Sequence, residues 1–261
     1  MAQANGTELA YDDEGSGHPL VLVPGLGATR AMFGPQVDAF RSTHRLILPD
    51  LRGTGQSGRL RRPIRTVIDR QCDDLAALLD HLKIDRTVMV GVSYGGAVAL
   101  HFALRHPRRL AGLVAVDTFA DLRISHPMEA LLLVGSYLTL PAYYLPRPVL
   151  RGAMQAFCRR WPEARRQIPA LVDSFRPTEA ILQSVAMCRI DDTRLLGRVD
   201  CPTLGIVGDA TRTGVRLMQR AMAAIPGAVL EVLPDSFDPS NLCQPEAFNR
   251  RLAAFLRRIG W

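Results

Sequence analysis

Short apolar runs rich in branched residues recur along the chain, with room for a helix between most neighbouring pairs. This alternation limits the possible fold more than any other feature. The runs are "LVLVP" (20–24), "RLILP" (45–49), "TVMVG" (87–91), "LVAVD" (113–117), "TLGIVG" (203–208) and "VLEVLP" (229–234), each closed by Gly, Pro or Asp. Their length and punctuation predict buried strands. Between them, "IDRQCDDLAALLDHL" (68–82) and "GGAVALHFALRHP" (95–107) carry apolar residues at helical spacing. A final helix opens at Pro245 and lines up Phe248, Leu252, Phe255 and Ile259 on one face. Strands alternating with helices imply an α/β protein whose mostly parallel sheet is covered by helices on both faces.

The alternation stops between residues 120 and 195, where several helical patterns follow one another without a clear strand. The expected organisation is a core built from residues 1–119 and 196–261, with residues 120–195 inserted as a helical lid. Aromatic residues gather in that insertion, and Tyr143, Tyr144 and Trp161 are candidates to line an apolar pocket.

Bulk properties exclude more than they identify. The N-terminus has neither a basic start nor an apolar core, and no apolar run is long enough to span a bilayer. The five cysteines are scattered and include no CxxC, which suits free thiols in a reducing compartment and a cytoplasmic location. A net charge of +7 raises the question of nucleic acid. The arginine clusters at 59–65, 105–109 and 159–166 are separate and lack interleaved stacking aromatics, so solvated faces are expected rather than a nucleic-acid or membrane surface. With no HExxH, no HxH and no Cys/His cluster, neither a metal nor an organic cofactor is expected. Nothing in the sequence speaks to oligomeric state.

The sharpest chemical signal is "TVMVGVSYGGAVAL", where Gly91-Val92-Ser93-Tyr94-Gly95 forms a G-x-S-x-G directly between a strand and a helix. A serine on that tight turn is lifted above the sheet edge at a helix N-terminus, where developing negative charge is favoured. The glycines are required because side chains there would meet neighbouring backbone.

At these residues the chain resembles the α/β-hydrolase superfamily, in its lidded esterase, lactonase and epoxide-hydrolase-like branch, along essentially its whole length. "LVLVPGLGATRAMF" is similar to the family's oxyanion-hole turn, "LPDLRGTGQSG" to its D-x-R-G-x-G-x-S turn, and "IPGAVLEVLPDS" with "NLCQPEAFNRRLAAFL" to its final strand and helix. The resemblance implies an oxyanion hole made by the backbone N–H groups of Leu26 and Tyr94.

Two of the three triad positions implied by the resemblance have changed. Where the family carries its acid the chain has Thr211, with Asp209 close by but out of step, and where the family carries Gly-His the chain has Phe237-Asp238. Asp117, at the end of "LVAVD", stands where some members keep the acid, and equally suits a residue that satisfies the following turn. Of the six histidines only His126, in "RISHPMEA", is placed to hang over a pocket.

Serine without a base is a poor nucleophile. The expected chemistry is therefore proton transfer by Asp238, in a cyclisation, elimination or isomerisation of a small apolar molecule. Asp238 would face Ser93 across an enclosed cavity, with Phe237 beside it. The alternatives are a weak or substrate-assisted serine esterase or lactonase, and a ligand-binding protein with an inactive site.

Overall fold

The computed structural model describes residues 1–60, 63–124 and 126–261; Arg61 and Arg62 of the basic run 59–65, and Ser125 beside His126, lie outside the described residues. The chain opens with a small hairpin, β1 (Ala2–Ala4) and β2 (Thr7–Leu9). Asn5 and Gly6 turn it, both at positive φ, the backbone that a two-residue hairpin with right-handed strand twist demands.

Seven strands form the main sheet: β3 (Tyr11–Glu14), β4 (His18–Val23), β5 (His44–Pro49), β6 (Thr87–Val92), β7 (Leu110–Val116), β8 (Thr203–Gly208) and β9 (Val229–Leu233), in the order β3-β5-β4-β6-β7-β8-β9. Only β3 runs antiparallel, against β5. The central strand β6 is buried along its whole length. Its run of Val and Met has no polar face because helices cover both sides.

The helices are α1 (Gly34–Phe40), α2 (Val67–His81), α3 (Tyr94–Arg105), α4 (Pro127–Leu138), α5 (Arg147–Phe157), α6 (Pro162–Ser174), α7 (Pro177–Cys188), α8 (Arg212–Ala223), α9 (Ser240–Cys243) and α10 (Pro245–Ile259). One core layer places Leu75 and Leu79 of α2 with Leu100 and Phe102 of α3 beneath the sheet. The other places Phe248, Leu252 and Phe255 of α10 against Leu22, Val90 and Val114. Between β7 and β8 the chain runs through α4 to α7. Of these, α6 rests on α9 and α7 rests on α2 and α3, while α4 rides on α7 and α5 on α6. The ends of this segment are tied together by a bridge between Asp121 and Asp191 and by Asp192 N–H donating to the Ala120 carbonyl at 2.9 Å.

The turn "LPDLRGTGQSG" is folded by its own polar groups. Asp50 accepts from the Arg30 and Gln56 N–H groups at 2.9 and 3.0 Å, and Gly53 N–H donates to the Gly58 carbonyl at 2.7 Å. Among the described residues no helix is long and apolar enough to cross a membrane.

Candidate active site

All the turns that carry chemistry leave the carboxyl ends of neighbouring strands, the edge at which open α/β sheets bind ligands. Ser93 follows β6 with φ 54° and ψ −117°, a conformation that side-chain-bearing residues rarely adopt and that is stored where the surrounding packing enforces it. Its N–H donates to the Val116 carbonyl at 2.7 Å. A Cβ on Gly91 would lie 2.1 Å from the Gly95 carbonyl oxygen, and one on Gly95 would lie 2.3 Å from that of Val23. Gly95→Ala is therefore expected to destabilise the protein by at least about 1–3 kcal/mol, measured by urea unfolding. Unchanged stability would show that the elbow has slack.

Gly25 sits against the nucleophile turn, its Cβ direction passing 3.6 Å from Ser93 Cβ. Among the described residues the Leu26 N–H has no hydrogen-bond partner, and Tyr94, as the first residue of α3, has no intrahelical acceptor for its own. Among the described residues neither N–H is engaged by a hydrogen bond. Next to them Gly27, at φ +63°, lies under the Phe175 ring and donates its N–H to Gln183 Oε1 at 3.2 Å. Gln183 was not foreseen. Its contact spans 156 residues, and no local pattern announces it.

Asp238 reaches back from the loop after β9, and Ser93 Oγ donates to its Oδ2 at 2.7 Å. The residue has ample water-accessible surface although protein crowds it from all sides. The exposed carboxyl corrects the expectation from sequence that Asp238 faces Ser93 across an enclosed apolar cavity. Burial first, and the nearby Asp117 charge second, push its carboxyl up to about 8, against the pull of the Ser93 hydroxyl. Asp117, at φ 47°, accepts from the Gly208 and Ser240 N–H groups at 2.9 and 2.6 Å and from Ser240 Oγ at 2.8 Å. Burial raises it to about 6 against those three donors. The two carboxyls titrate as a coupled pair with apparent values near 6 and 8, so around neutral pH they share one negative charge. Asp117 also anchors, through Ser240, the loop that presents Asp238.

An acid whose pKa is higher in the fold than in the unfolded chain stabilises the fold while protonated, and that contribution is lost as pH rises towards the folded value. For Asp238 the window runs from the ordinary 3.8 to about 8. The melting temperature of Asp238→Asn, followed by scanning fluorimetry, is expected to gain on that of the natural chain across this window and then level off. A gap independent of pH would mean that Asp238 titrates as it does in free solution.

The other expected residues are distributed unevenly. Phe237 stacks on Trp161, 6.3 Å between centroids, and meets Phe157 edge-on at 5.0 Å. Trp161 is held by its indole N–H donating to the Asp235 carbonyl at 2.9 Å. Tyr143 meets Phe175 edge-on at 5.3 Å, so it approaches the Gly27 turn through that ring. Tyr144 is exposed and pairs with the Thr178 hydroxyl. His126 is exposed too; its Nδ1 accepts from the Met128 N–H at 3.2 Å and so caps α4. No hydrogen bond or ring contact among the described residues links His126 or Tyr144 to Ser93 or Asp238. Thr211 caps α8, its hydroxyl accepting from the Gly214 N–H, and Asp209 accepts from the Ser236 N–H at 3.3 Å.

The remaining histidines are engaged elsewhere. His18 lies against Trp261, His44 bonds Thr43, His81 meets Tyr11 and His106 pairs with Asp73. His101 joins Asp69 and Asp192, each at 2.8 Å. Burial pulls its imidazole down, but the two carboxylates outweigh that and hold it above its ordinary value. It borders a recess of about 320 Å³. A second recess, of about 340 Å³, lies at the amino ends of the strands beside Arg86 and Cys201 and is remote from Ser93. Among the described residues no group of three or more His, Cys, Asp or Glu is arranged to hold a metal ion.

A strained serine at a strand–helix elbow on the carboxyl edge of a mainly parallel sheet defines the scaffold of serine-elbow enzymes. The chain belongs to the α/β hydrolase fold family, whose model matches residues 18–184. It is 27% identical over 241 residues to a putative carbamate hydrolase RutD of Caulobacter sp. (strain K31), covering 91% of this chain and 90% of that protein. It is 35% identical over 121 residues to a cis-3-alkyl-4-alkyloxetan-2-one decarboxylase of Shewanella oneidensis, covering 44% of this chain and 37% of that protein. Among solved structures, a thermophilic esterase from Thermogutta terrifontis superposes with a TM-score of 0.82 at 29% identity, covering 97% of this chain and 94% of that one.

Proposed function

We propose that this enzyme transfers protons on a small apolar carbonyl compound, in a cyclisation, elimination or isomerisation, with Asp238 as the base. The observation that carries the reading is the 2.7 Å hydrogen bond from Ser93 Oγ to Asp238 Oδ2, in a site to which no histidine among the described residues is joined. The substrate carbonyl oxygen is held by the Leu26 and Tyr94 N–H groups. The ionised Asp238 carboxylate takes a proton from the adjacent carbon, and the electron pair moves onto the oxygen as an enolate. The same carboxyl then returns the proton elsewhere on the substrate or to a departing group. Donors aimed at an oxygen stabilise developing negative charge, which favours Asp238 as base over Asp238 as acid. Ser93 orients Asp238, Asp117 positions the loop, and residues 120–195 serve as a lid whose Trp161, Tyr143 and Phe175, together with Phe237 of the core, favour an apolar ligand.

The relative from Shewanella, named for a decarboxylase reaction on an alkyl-bearing ring, supports the idea that this scaffold accommodates chemistry other than hydrolysis. The intact elbow, and relatives named as hydrolase and esterase, favour a second reading, a weak serine hydrolase. A fluorophosphonate probe separates the two. Under proton transfer Ser93 stays unlabelled on the time scale of ordinary serine hydrolases, because no imidazole activates it. Rapid, Ser93-dependent labelling, read by intact-mass spectrometry, would sink the proposal in favour of the hydrolase.

A further inference from the structure

The turn that presents Leu26 is closed on itself and then held from outside. Ala28 N–H donates to the Gly25 carbonyl at 3.1 Å, and Gly27 stands at φ +63° while Leu26 is not among the residues at positive φ. A four-residue turn with positive φ at its third position alone is type II. It differs from type I mainly by a rotation of the central peptide, here Leu26–Gly27, through roughly 150–170°. Glycine accepts either sign of φ, so the local sequence leaves both orientations open. The side chain that distinguishes them lies 156 residues away: Gln183 Oε1, on α7, accepts from the Gly27 N–H at 3.2 Å. A rotated peptide would instead turn the Leu26 carbonyl oxygen towards that oxygen.

Gln183 is fully buried, and its Nε2 has no hydrogen-bond partner among the described residues. A buried donor left unpaired is unfavourable, so the accepting oxygen is what this side chain contributes. The helix does not depend on that bond for its place. Arg176, at the start of α7, donates to the Gly55 and Ser57 carbonyls at 2.5 and 3.0 Å, and Glu179 lies against Gly53. The bond from Gly27 therefore acts on the turn more than on α7. The peptide it fixes adjoins the Leu26 N–H, and a dipole set there before substrate arrives needs no reorganisation during reaction. We infer that Gln183 is a positioning residue, which holds the Leu26–Gly27 peptide in the orientation that suits the Leu26 N–H for binding a substrate oxygen. The inference rests on the assignment of that oxygen to Leu26, which the proton-transfer and hydrolase readings share.

The test compares Gln183→Leu, which removes the acceptor, with Gln183→Glu, which offers an acceptor oxygen whether ionised or protonated. Two readouts apply to the full chain: amide hydrogen exchange of segments 24–33 and 177–188 by mass spectrometry, and exchange of solvent deuterium into apolar ketones. In Gln183→Leu, segment 24–33 is expected to exchange about tenfold faster while 177–188 keeps its protection. Its kcat should fall by about 10–10²-fold with KM within a few-fold, because the turn is misplaced rather than the ligand lost. Gln183→Glu should recover most of both. If Gln183→Leu does not fold, Gln183→Asn, one methylene too short to reach Gly27, carries the same expectations. The proposal is overturned by a leucine variant that keeps the turn's protection and kcat, or by a glutamate variant as impaired as the leucine one. It is overturned equally by lost protection across 177–188, which would mean that Gln183 only anchors α7. A natural chain that exchanges no ketone would sink the reaction proposed above, and amide exchange would still decide for or against Gln183.

Discussion

Asp238→Asn is expected to lower kcat/KM by about 10²–10⁴-fold, the range associated with loss of a positioned base, while ligand affinity measured by calorimetry stays within a few-fold. Asparagine keeps the shape and an acceptor for the Ser93 hydroxyl, and it cannot take a proton. The assay is exchange of solvent deuterium into the acidic C–H positions of a panel of apolar ketones and lactones, followed by NMR. With the natural chain, kcat/KM should rise with pH and level off above about 8, where Asp238 loses its proton. Fast exchange in the Asn variant, or a rate that falls through the same pH range, would remove Asp238 from the role of base. Ser93→Ala should have a smaller effect, since the serine orients the carboxyl without exchanging its proton with substrate.

The second large effect concerns stability. Arg52 of the "LPDLRGTGQSG" turn donates from Nε and Nη2 to the Asp74 carboxylate at 2.8 and 2.5 Å, and Nη2 also reaches the Asn5 carbonyl at 2.9 Å. Asn5 Nδ2 adds a further bond to Asp74, whose side chain is 1% exposed. The two partners feel the pairing differently. Burial pushes the Asp74 carboxyl up despite Arg52, whereas the hydrogen bond to Asp74 lifts the Arg52 guanidinium further above its ordinary value. The carboxylate, being the more deeply buried, governs the outcome. The pair lies near the point where desolvation and attraction cancel, and it becomes strongly unfavourable when one member is removed.

Arg52→Ala is therefore expected to lose about 3–5 kcal/mol in chemical denaturation, and Arg52→Leu with Asp74→Leu markedly less. A double variant as unstable as the single one would show that packing rather than charge is at stake. The same network continues from Arg52 O through Gln71 to the Tyr94 hydroxyl, at 2.9 and 2.6 Å. Damage here should also loosen the residue that follows Ser93.

Much of the scaffold was legible in the chain. Each of the apolar runs became a strand, usually shifted by a residue or two, and the G-x-S-x-G stretch took its place between β6 and α3, because hydrophobic period, glycine and proline act over a few residues. The first hairpin went unread although Asn5-Gly6 carries the signal for it; its strands are too short for alternation to show. That position 238 carries an aspartate was equally plain.

The sequence by itself therefore determined the order of strands and helices, the elbow that exposes Ser93, and which chemical groups were available nearby. The tertiary structure alone decided that a carboxyl 145 residues away bonds that serine. It also decided that Asp117 is occupied by Ser240 and Gly208, that the histidines are spent on other partners, and that Gln183 reaches the Gly27 turn. The physical reason is range. Backbone preference and hydrophobic period are set by neighbours along the chain, whereas proximity, burial and charge coupling arise only when distant segments pack together and exclude water.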